Sequence, residues 1–382
     1  MTELQSKLPD VGTTIFAVMS KMAHEHAAIN LSQGFPDFQV SPELISLINE
    51  YMKKGMNQYA PMPGLPALRE QIANMVKGRY GYNADPETEI TITSGATEAL
   101  YNTITALVHP GDEVIIFDPA YDSYDPAIRL SGGRPVHLTL RQPDFSIDWQ
   151  EVKENINDKT RMIIINTPHN PSGAVLTDMD MQQLEKIAVE HPKLLVLSDE
   201  VYEHIIFDGF QHLSVLRYPE LYDRCIAVFS FGKTFHATGW KVGYIVASDN
   251  ITTEIRKVHQ FVTFSVNTPV QCALADYLKD EKNYLYLPDF FQRKRDLFIG
   301  KLKGSRFEPV PCHGTYFQLL SYKNISDKSD MEMAAMLTQE HGIASIPISA
   351  FYGNKQDDQI LRFCFAKDEK TIEKAAEILC KI

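Results

Sequence analysis

The chain has 382 residues, 44% of them hydrophobic and 23% charged, with a formal net charge of −12 at pH 7. That length and mix build an ample core and exclude a disordered chain, and the acidic balance with no Lys/Arg cluster argues against nucleic-acid or anionic-membrane partners and for small molecules. The five cysteines (Cys225, Cys272, Cys312, Cys364, Cys380) are odd in number, widely spaced and free of any CxxC pair, which argues against a disulfide framework or structural zinc site and predicts a reducing, cytoplasmic setting.

In chain order, the opening MTELQSKLPD is polar and mixed in charge, unlike a signal peptide, and no apolar run reaches membrane-spanning length. A helical pattern, TTIFAVMSKMAHEH (13–26), and the segment INLSQGFPDF (29–38) come first. Seven short apolar runs follow: ITITS (90–94), EVIIFD (113–118), PVHLTL (135–140), MIIINTP (162–168), LLVLSD (194–199), IAVFSF (226–231) and VGYIVAS (242–248). They are continuous, not alternating, as strands covered on both faces read. Helical patterns at 97–108, 180–190 and 254–262 lie among them. The prediction is an α/β protein with a mostly parallel seven-stranded sheet between helices; periodicity alone leaves an eight-stranded barrel open. YFQLL (316–320), a helix near 331–341, IASIPIS (343–349), ILRFCFA (360–366) and a closing helix predict a smaller α/β domain formed by both chain ends. The division places 46–282 in the large domain, and 1–45 with 283–382 in the small one.

Ligands of open α/β sheets collect outside the carboxyl ends of strands, so the residues after each run matter most. After ITITS, Ser94 and Gly95 open a helix whose free amides at Gly95, Ala96 and Thr97 suit a phosphate or a plain N-cap turn. After MIIINTP, Pro171 and Gly173 shape a turn around Asn170; after LLVLSD come Asp199, which wants a cationic or hydrogen-bonded partner, and Tyr202. Lys233 sits where a buried run gives way to a glycine-containing turn. An anion site, a carboxylate for a ring cation, a phenol, an amide and a lysine together describe pyridoxal 5′-phosphate. GxGxxG, GxxxxGK[ST] and HExxH are all absent, so dinucleotide, nucleoside-triphosphate and catalytic-metal chemistry lack their motifs. No metal is expected.

SFGKTFHATGWKVG (230–243) resembles the lysine signature of class I aminotransferases of the aspartate-aminotransferase-like fold, fold type I. NTPHNPSG, SDEVYEH, QGFPDF, NQYAPMPGLPALRE, GATEAL and RFCFAK resemble that family's other blocks, and the likeness covers essentially the whole chain. Within the family, FDPAYDSY, HQFVTFSVNTP and the GTTIF start resemble the methionine, kynurenine and glutamine transaminases.

The resemblance implies a ping-pong aminotransferase that moves the amino group of methionine, and also of aromatic or leucine- and glutamine-type amino acids, to a 2-oxo acid. It implies that Lys233 forms the Schiff base and then moves protons, that Asp199 pairs with the pyridine nitrogen, and that Tyr202 and Asn170 hydrogen-bond the ring hydroxyl oxygen. Tyr121 would stack on the ring. Gly95, Ala96, Thr97, Ser230 and Lys241 would cradle the phosphate, Lys241 standing where arginine is commoner. Tyr59 would reach the phosphate of a neighbouring subunit, implying a homodimer with shared sites. Arg362, with Asn170 and the Gly34 backbone, would hold the substrate carboxylate, and Phe16 and Tyr59 would line an apolar side-chain pocket. The alternative is a kynurenine/glutamine transaminase with cysteine-conjugate β-lyase side activity. A regulatory sensor would want an appended DNA-binding region, which the sequence does not advertise.

Overall fold

The computed structural model describes residues 4–382. A first helix, Ile15–Glu25, capped by the Thr14 hydroxyl, leads into β1 (Ile29–Asn30). The central sheet uses β2 (Ile90–Thr93), β3 (Glu113–Asp118), β4 (Arg134–Thr139), β5 (Thr160–Asn166), β6 (Leu195–Asp199), β7 (Cys225–Ser230) and β8 (Gly243–Ala247). The C-terminal part adds β9 (Glu308–Pro309), β10 (Phe317–Ser321), β11 (Ile343–Ala344), β12 (Ile346–Pro347) and β13 (Ile360–Cys364).

The seven strands stand in the order β2-β8-β7-β6-β5-β3-β4, with β8 antiparallel to both neighbours and the other pairings parallel. β2 and β4 end the array, so the sheet is open and the barrel alternative falls. Successive strand side chains point to opposite faces. Ile115, Phe117, Ile163 and Ile165 enter one apolar cluster, while Val114, Ile116, Met162 and Ile164 enter another behind the sheet. Burying each such side chain contributes about 1.5–3 kcal/mol, which is why these runs are apolar at every position. β4 departs from this: it lies at the edge and most of its residues are only half-buried or exposed.

The helix Gly95–Leu107 covers the second face together with Asp249–Val262, which begins five residues before the predicted start at 254. Asp178–Glu190 opens with a reciprocal capping box between Thr177 and Asp180, which satisfies two otherwise orphan amides. Helices Pro42–Lys53, Pro66–Tyr80, Thr268–Tyr277 and Leu287–Lys301, which the sequence reading left unassigned, each carry proline in the first turn, where its missing N–H costs nothing.

A smaller sheet, β12-β13-β10-β9, is antiparallel throughout. β1 pairs in parallel with β11, Ile29 opposite Ile343, which ties the N-terminal segment to the C-terminal part. No helix among the described residues is long and apolar enough to cross a membrane.

Candidate active site

The parallel strands deliver their last residues to one edge of the sheet. Asn166 pairs with Asp199 across β5 and β6, and Thr93 and Ser230 both face Gly243 at the start of β8. A cavity of about 280 Å³ opens over this edge. Phe16, Gly34, Gly95, Ala96, Thr97, Tyr121, Asn170, Asp199, Tyr202, Ser230, Lys233, Lys241 and Arg362 all line it. Of the predicted site residues, Tyr59 stands apart from it, 83% exposed with its ring edge-on to Phe264 at 5.6 Å.

Lys233 follows β7 in the short helix Phe231–Thr234. Its amine donates to the Tyr316 hydroxyl at 2.9 Å and the Gly34 carbonyl at 3.3 Å. Burial disfavours the ammonium and lowers its pKa to about 8, with the nearby Arg362 charge pushing the same way. A neutral fraction far larger than that of an ordinary lysine, the nucleophilic and basic form, therefore exists near neutral pH.

Asp199 closes β6 and is buried. Oδ2 accepts from the Tyr124 hydroxyl at 2.6 Å and Oδ1 from the Val201 amide at 3.4 Å. Desolvation raises its pKa to about 6, against the opposing pull of these donors and of Lys233. Asp199 thus remains anionic at neutral pH and can meet a cationic ring nitrogen. Tyr202 is buried beside Tyr316, ring centroids 5.2 Å apart, and burial pushes its hydroxyl well up, so it stays a neutral donor.

The opposite end gathers groups of the kind that suit an anion. The helix Gly95–Leu107 has no side-chain cap at Ser94, so its first amides and positive dipole end point at the cavity. Gly95 takes φ +77°, a left-handed turn that glycine adopts without steric cost. A Cβ on Gly243 would come within 2.6 Å of the Phe229 carbonyl and 2.9 Å of the Ala96 nitrogen, so only glycine lets β8 pass this helix mouth. Lys241, itself left-handed at φ +53°, brings Nζ to 3.5 Å from the Thr97 hydroxyl. Tyr121 stands edge-on to Tyr124 at 5.7 Å, with its hydroxyl pushed up to about 12 by burial.

Arg362 lies on β13 between Leu319 of β10 and Ile346 of β12, and is 1% exposed. Nη1 donates to Asn170 Oδ1 and Nη2 to the Ser32 carbonyl, each at 2.8 Å, while Nε has no partner among the described residues. The guanidinium stacks 3.9 Å over the Phe317 ring, with Phe16 at 5.1 Å. Both acceptors are neutral, so this buried cation is poised for an incoming carboxylate. The Gly34 carbonyl is already taken by Tyr316, at 2.6 Å, leaving its N–H as the backbone donor that a carboxylate would use.

Sequence reasoning missed three supporting residues. Asn166 holds the Asn170 amide through Oδ1 at 2.7 Å and donates to the Asp199 carbonyl at 2.8 Å. Its signal was available: a polar residue ending an apolar run, as Asp199 does. Tyr124 and Tyr316 reach the site by long-range packing, with no local signal.

The sequence profile of the family "Aminotransferase class I and II" matches residues 27–379. Methionine aminotransferase of Escherichia coli is 54% identical over 376 residues, covering 98% of this chain and 97% of that protein. Kynurenine–oxoglutarate transaminase of Dictyostelium discoideum is 34% identical, covering 97% and 94%. A crystal structure from Escherichia coli, described as identifying a methionine aminotransferase function, superposes with a TM-score of 0.98 at 52% identity over the whole of both chains. With a lysine, a buried aspartate, an uncapped helix mouth and a buried arginine around one cavity, the chain belongs to the class I and II aminotransferase family.

Proposed function

We propose that this chain is a pyridoxal 5′-phosphate-dependent aminotransferase that passes the amino group of methionine to a 2-oxo acid, using one site alternately for donor and acceptor. The observation that carries this reading is the Lys233 amine, its pKa lowered to about 8, in the same cavity as buried Asp199, the open helix mouth at Gly95 and buried Arg362. The donor set suits the cofactor end to end. Asp199 would face the ring nitrogen, Tyr202 and the free Asn170 Nδ2 the ring hydroxyl oxygen, and Tyr121 a ring face. The Ala96 and Thr97 amides, Ser230 and Lys241 would hold the phosphate.

When bound, pyridoxal 5′-phosphate supplies the electron sink that makes the amino acid's Cα hydrogen removable. Lys233, once its amine is free, takes that proton from Cα as a general base and returns one as a general acid, the role its lowered pKa favours. Arg362 grips the α-carboxylate through a fork already oriented by Asn170, Ser32 and the Phe317 ring. That grip fixes Cα over the amine, which converts binding into orientation. Phe16 leaves an apolar space for the side chain, so methionine is accommodated and aromatic, leucine- and glutamine-type side chains are discriminated by only about 1–3 kcal/mol per methylene.

A homodimer completes the reading. Tyr59, Phe261 and Phe264 expose 83%, 86% and 45% of their surfaces close together in sequence or space, an apolar patch of the kind that partner chains cover. The partner's copy of this patch would bring its tyrosine to the phosphate. The split into a large domain, 46–282, and a small one from both chain ends is supported by the β1–β11 pairing. Five free cysteines, four of them buried, favour a cytoplasmic setting.

The kynurenine transaminase relative favours kynurenine as a second donor choice. Steady-state assays over a donor panel with one fixed 2-oxo acid decide between them. Methionine should give the highest kcat/KM; a kynurenine maximum selects the second reading, and a dicarboxylate maximum overturns both.

A further inference from the structure

Behind the cavity, Asp199 is held by a residue that does not itself line it. Tyr124 is the first residue of the helix Tyr124–Leu130, 75 residues before Asp199 in the chain, and is 3% exposed. Its ring packs in the apolar layer with Ile116 and Ile128 and stands edge-on to Tyr121. That packing leaves the hydroxyl little freedom, and it donates to Asp199 Oδ2 at 2.6 Å. The other oxygen, Oδ1, has only the longer Val201 contact and so keeps lone pairs for the cavity.

We infer that Tyr124 is a positioning residue for Asp199: its hydroxyl selects the carboxylate oxygen that faces the cavity and holds the group in its charged form. The inference rests on the cofactor reading, because a charged Asp199 matters only if a ring nitrogen has to be kept protonated opposite it.

Several groups bear on this carboxylate. Burial drives its pKa up; the Tyr124 hydroxyl is the leading influence against it, followed by the Val201 amide and Lys233, while Glu200 pushes up again. Tyr121 and Tyr202 face it from the β3 and β6 loops, with Arg362 beyond them. A hydroxyl donating to a carboxylate stabilises the anion specifically, so removing it moves the proton equilibrium instead of merely loosening the site. Tyr124→Phe keeps the ring and its packing. Asp199 should then titrate about one unit higher, since a hydrogen bond to a charged acceptor is worth about tenfold or more in the equilibrium.

The test uses pyridoxamine 5′-phosphate, which binds without a bond to Lys233. It is titrated into wild-type, Tyr124→Phe and Tyr124→His apoproteins across pH, and affinity is read from protein fluorescence. The ligand's own ionisations are common to all three. The expected result is an acidic limb shifted upward by about one unit in Tyr124→Phe, with affinity about tenfold weaker on that limb. The curves should converge at alkaline pH, and Tyr124→His, which restores an N–H donor, should recover part of the shift. Superimposable curves, or an equal loss at every pH, overturn the inference.

Should Tyr124→Phe fail to fold, NMR of wild-type apoprotein labelled in the aspartate carboxyls and tyrosine rings decides. The Asp199 carboxyl and Tyr124 Cζ should shift together with a midpoint at about 6. Independent titration of the two overturns the inference. If wild-type protein binds no pyridoxamine phosphate, the cofactor reading fails, and the NMR titration still judges the Tyr124–Asp199 pair.

Discussion

Arg362 and Asn170 meet across 192 residues of sequence, Nη1 donating to Oδ1 at 2.8 Å inside a buried pocket. The contact joins the small sheet to the loop after β5, and it sets the plane in which the guanidinium fork faces the cavity. Arg362→Lys keeps the charge and loses the fork. We expect kcat/KM for methionine to fall about 100-fold, or about 3 kcal/mol, mostly through KM, with cofactor affinity unchanged. Steady-state kinetics and a cofactor titration on the same preparation check this; a change confined to cofactor affinity contradicts the assignment.

The Lys233 amine, lowered by burial to about 8 against an ordinary lysine at 10.5, predicts how fast the apoprotein captures pyridoxal phosphate. Below that pKa the amine is protonated and cannot attack, so the capture rate should rise with pH and level off above about 8. Stopped-flow absorbance with reductive trapping measures it. A rate still climbing steeply at higher pH would show an ordinary, solvated lysine.

Tyr59 tests the proposal that the site is shared between two subunits. Since its ring is exposed on its own chain, Tyr59→Phe should not disturb the fold, yet it should weaken phosphate binding about tenfold by loss of one hydrogen bond to a charged group. Calorimetric titration of the variant with cofactor, beside a measurement of its oligomeric state, reads the change. Unchanged affinity in a dimeric variant counts against the intersubunit role.

Away from the cavity, His137 is clamped between Asp118 at 2.8 Å and Asp125 at 3.3 Å, which raise its pKa to about 9 despite partial burial. A histidine raised in this way stabilises the fold fully below its unfolded pKa, and the contribution is lost as pH climbs through about 9. The wild type should therefore lose about 2 kcal/mol more than His137→Gln between mildly acidic and alkaline pH. Urea unfolding of both proteins at each pH reads this difference; parallel losses contradict it.

The sheet was legible because its strands are covered on both faces: Val114 to Ile116 and Met162 to Ile165 are apolar at every position. β4 was placed within a residue although its pattern is weaker, since an edge strand needs less cover. The helices that open on proline were harder, because the same residue marks turns as well as first helical positions. Within the site, residues tied to strand ends or to helix starts could be read: Lys233, Asp199, Asn170 and Gly95 each follow an apolar run. Tyr316 reaches Gly34 across 282 residues and Arg362 reaches Ser32 across 330, and only the folded chain reveals such pairs. Tyr59 was also expected to line the side-chain pocket, yet in its own chain it faces outward.

The central claim, that Lys233 serves a bound pyridoxal phosphate in amino-group transfer, is tested most directly by the absorption spectrum of cofactor-loaded protein. L-methionine is added without any oxo acid, and Lys233→Ala is run beside the wild type. We expect the wild type alone to show the long-wavelength band of the lysine-bound cofactor, to lose it on addition of methionine as the pyridoxamine form accumulates, and to regain it when a 2-oxo acid follows. A Lys233→Ala protein with the same lysine-type band, or a wild-type band that methionine and the other proposed donors leave untouched, would contradict the account.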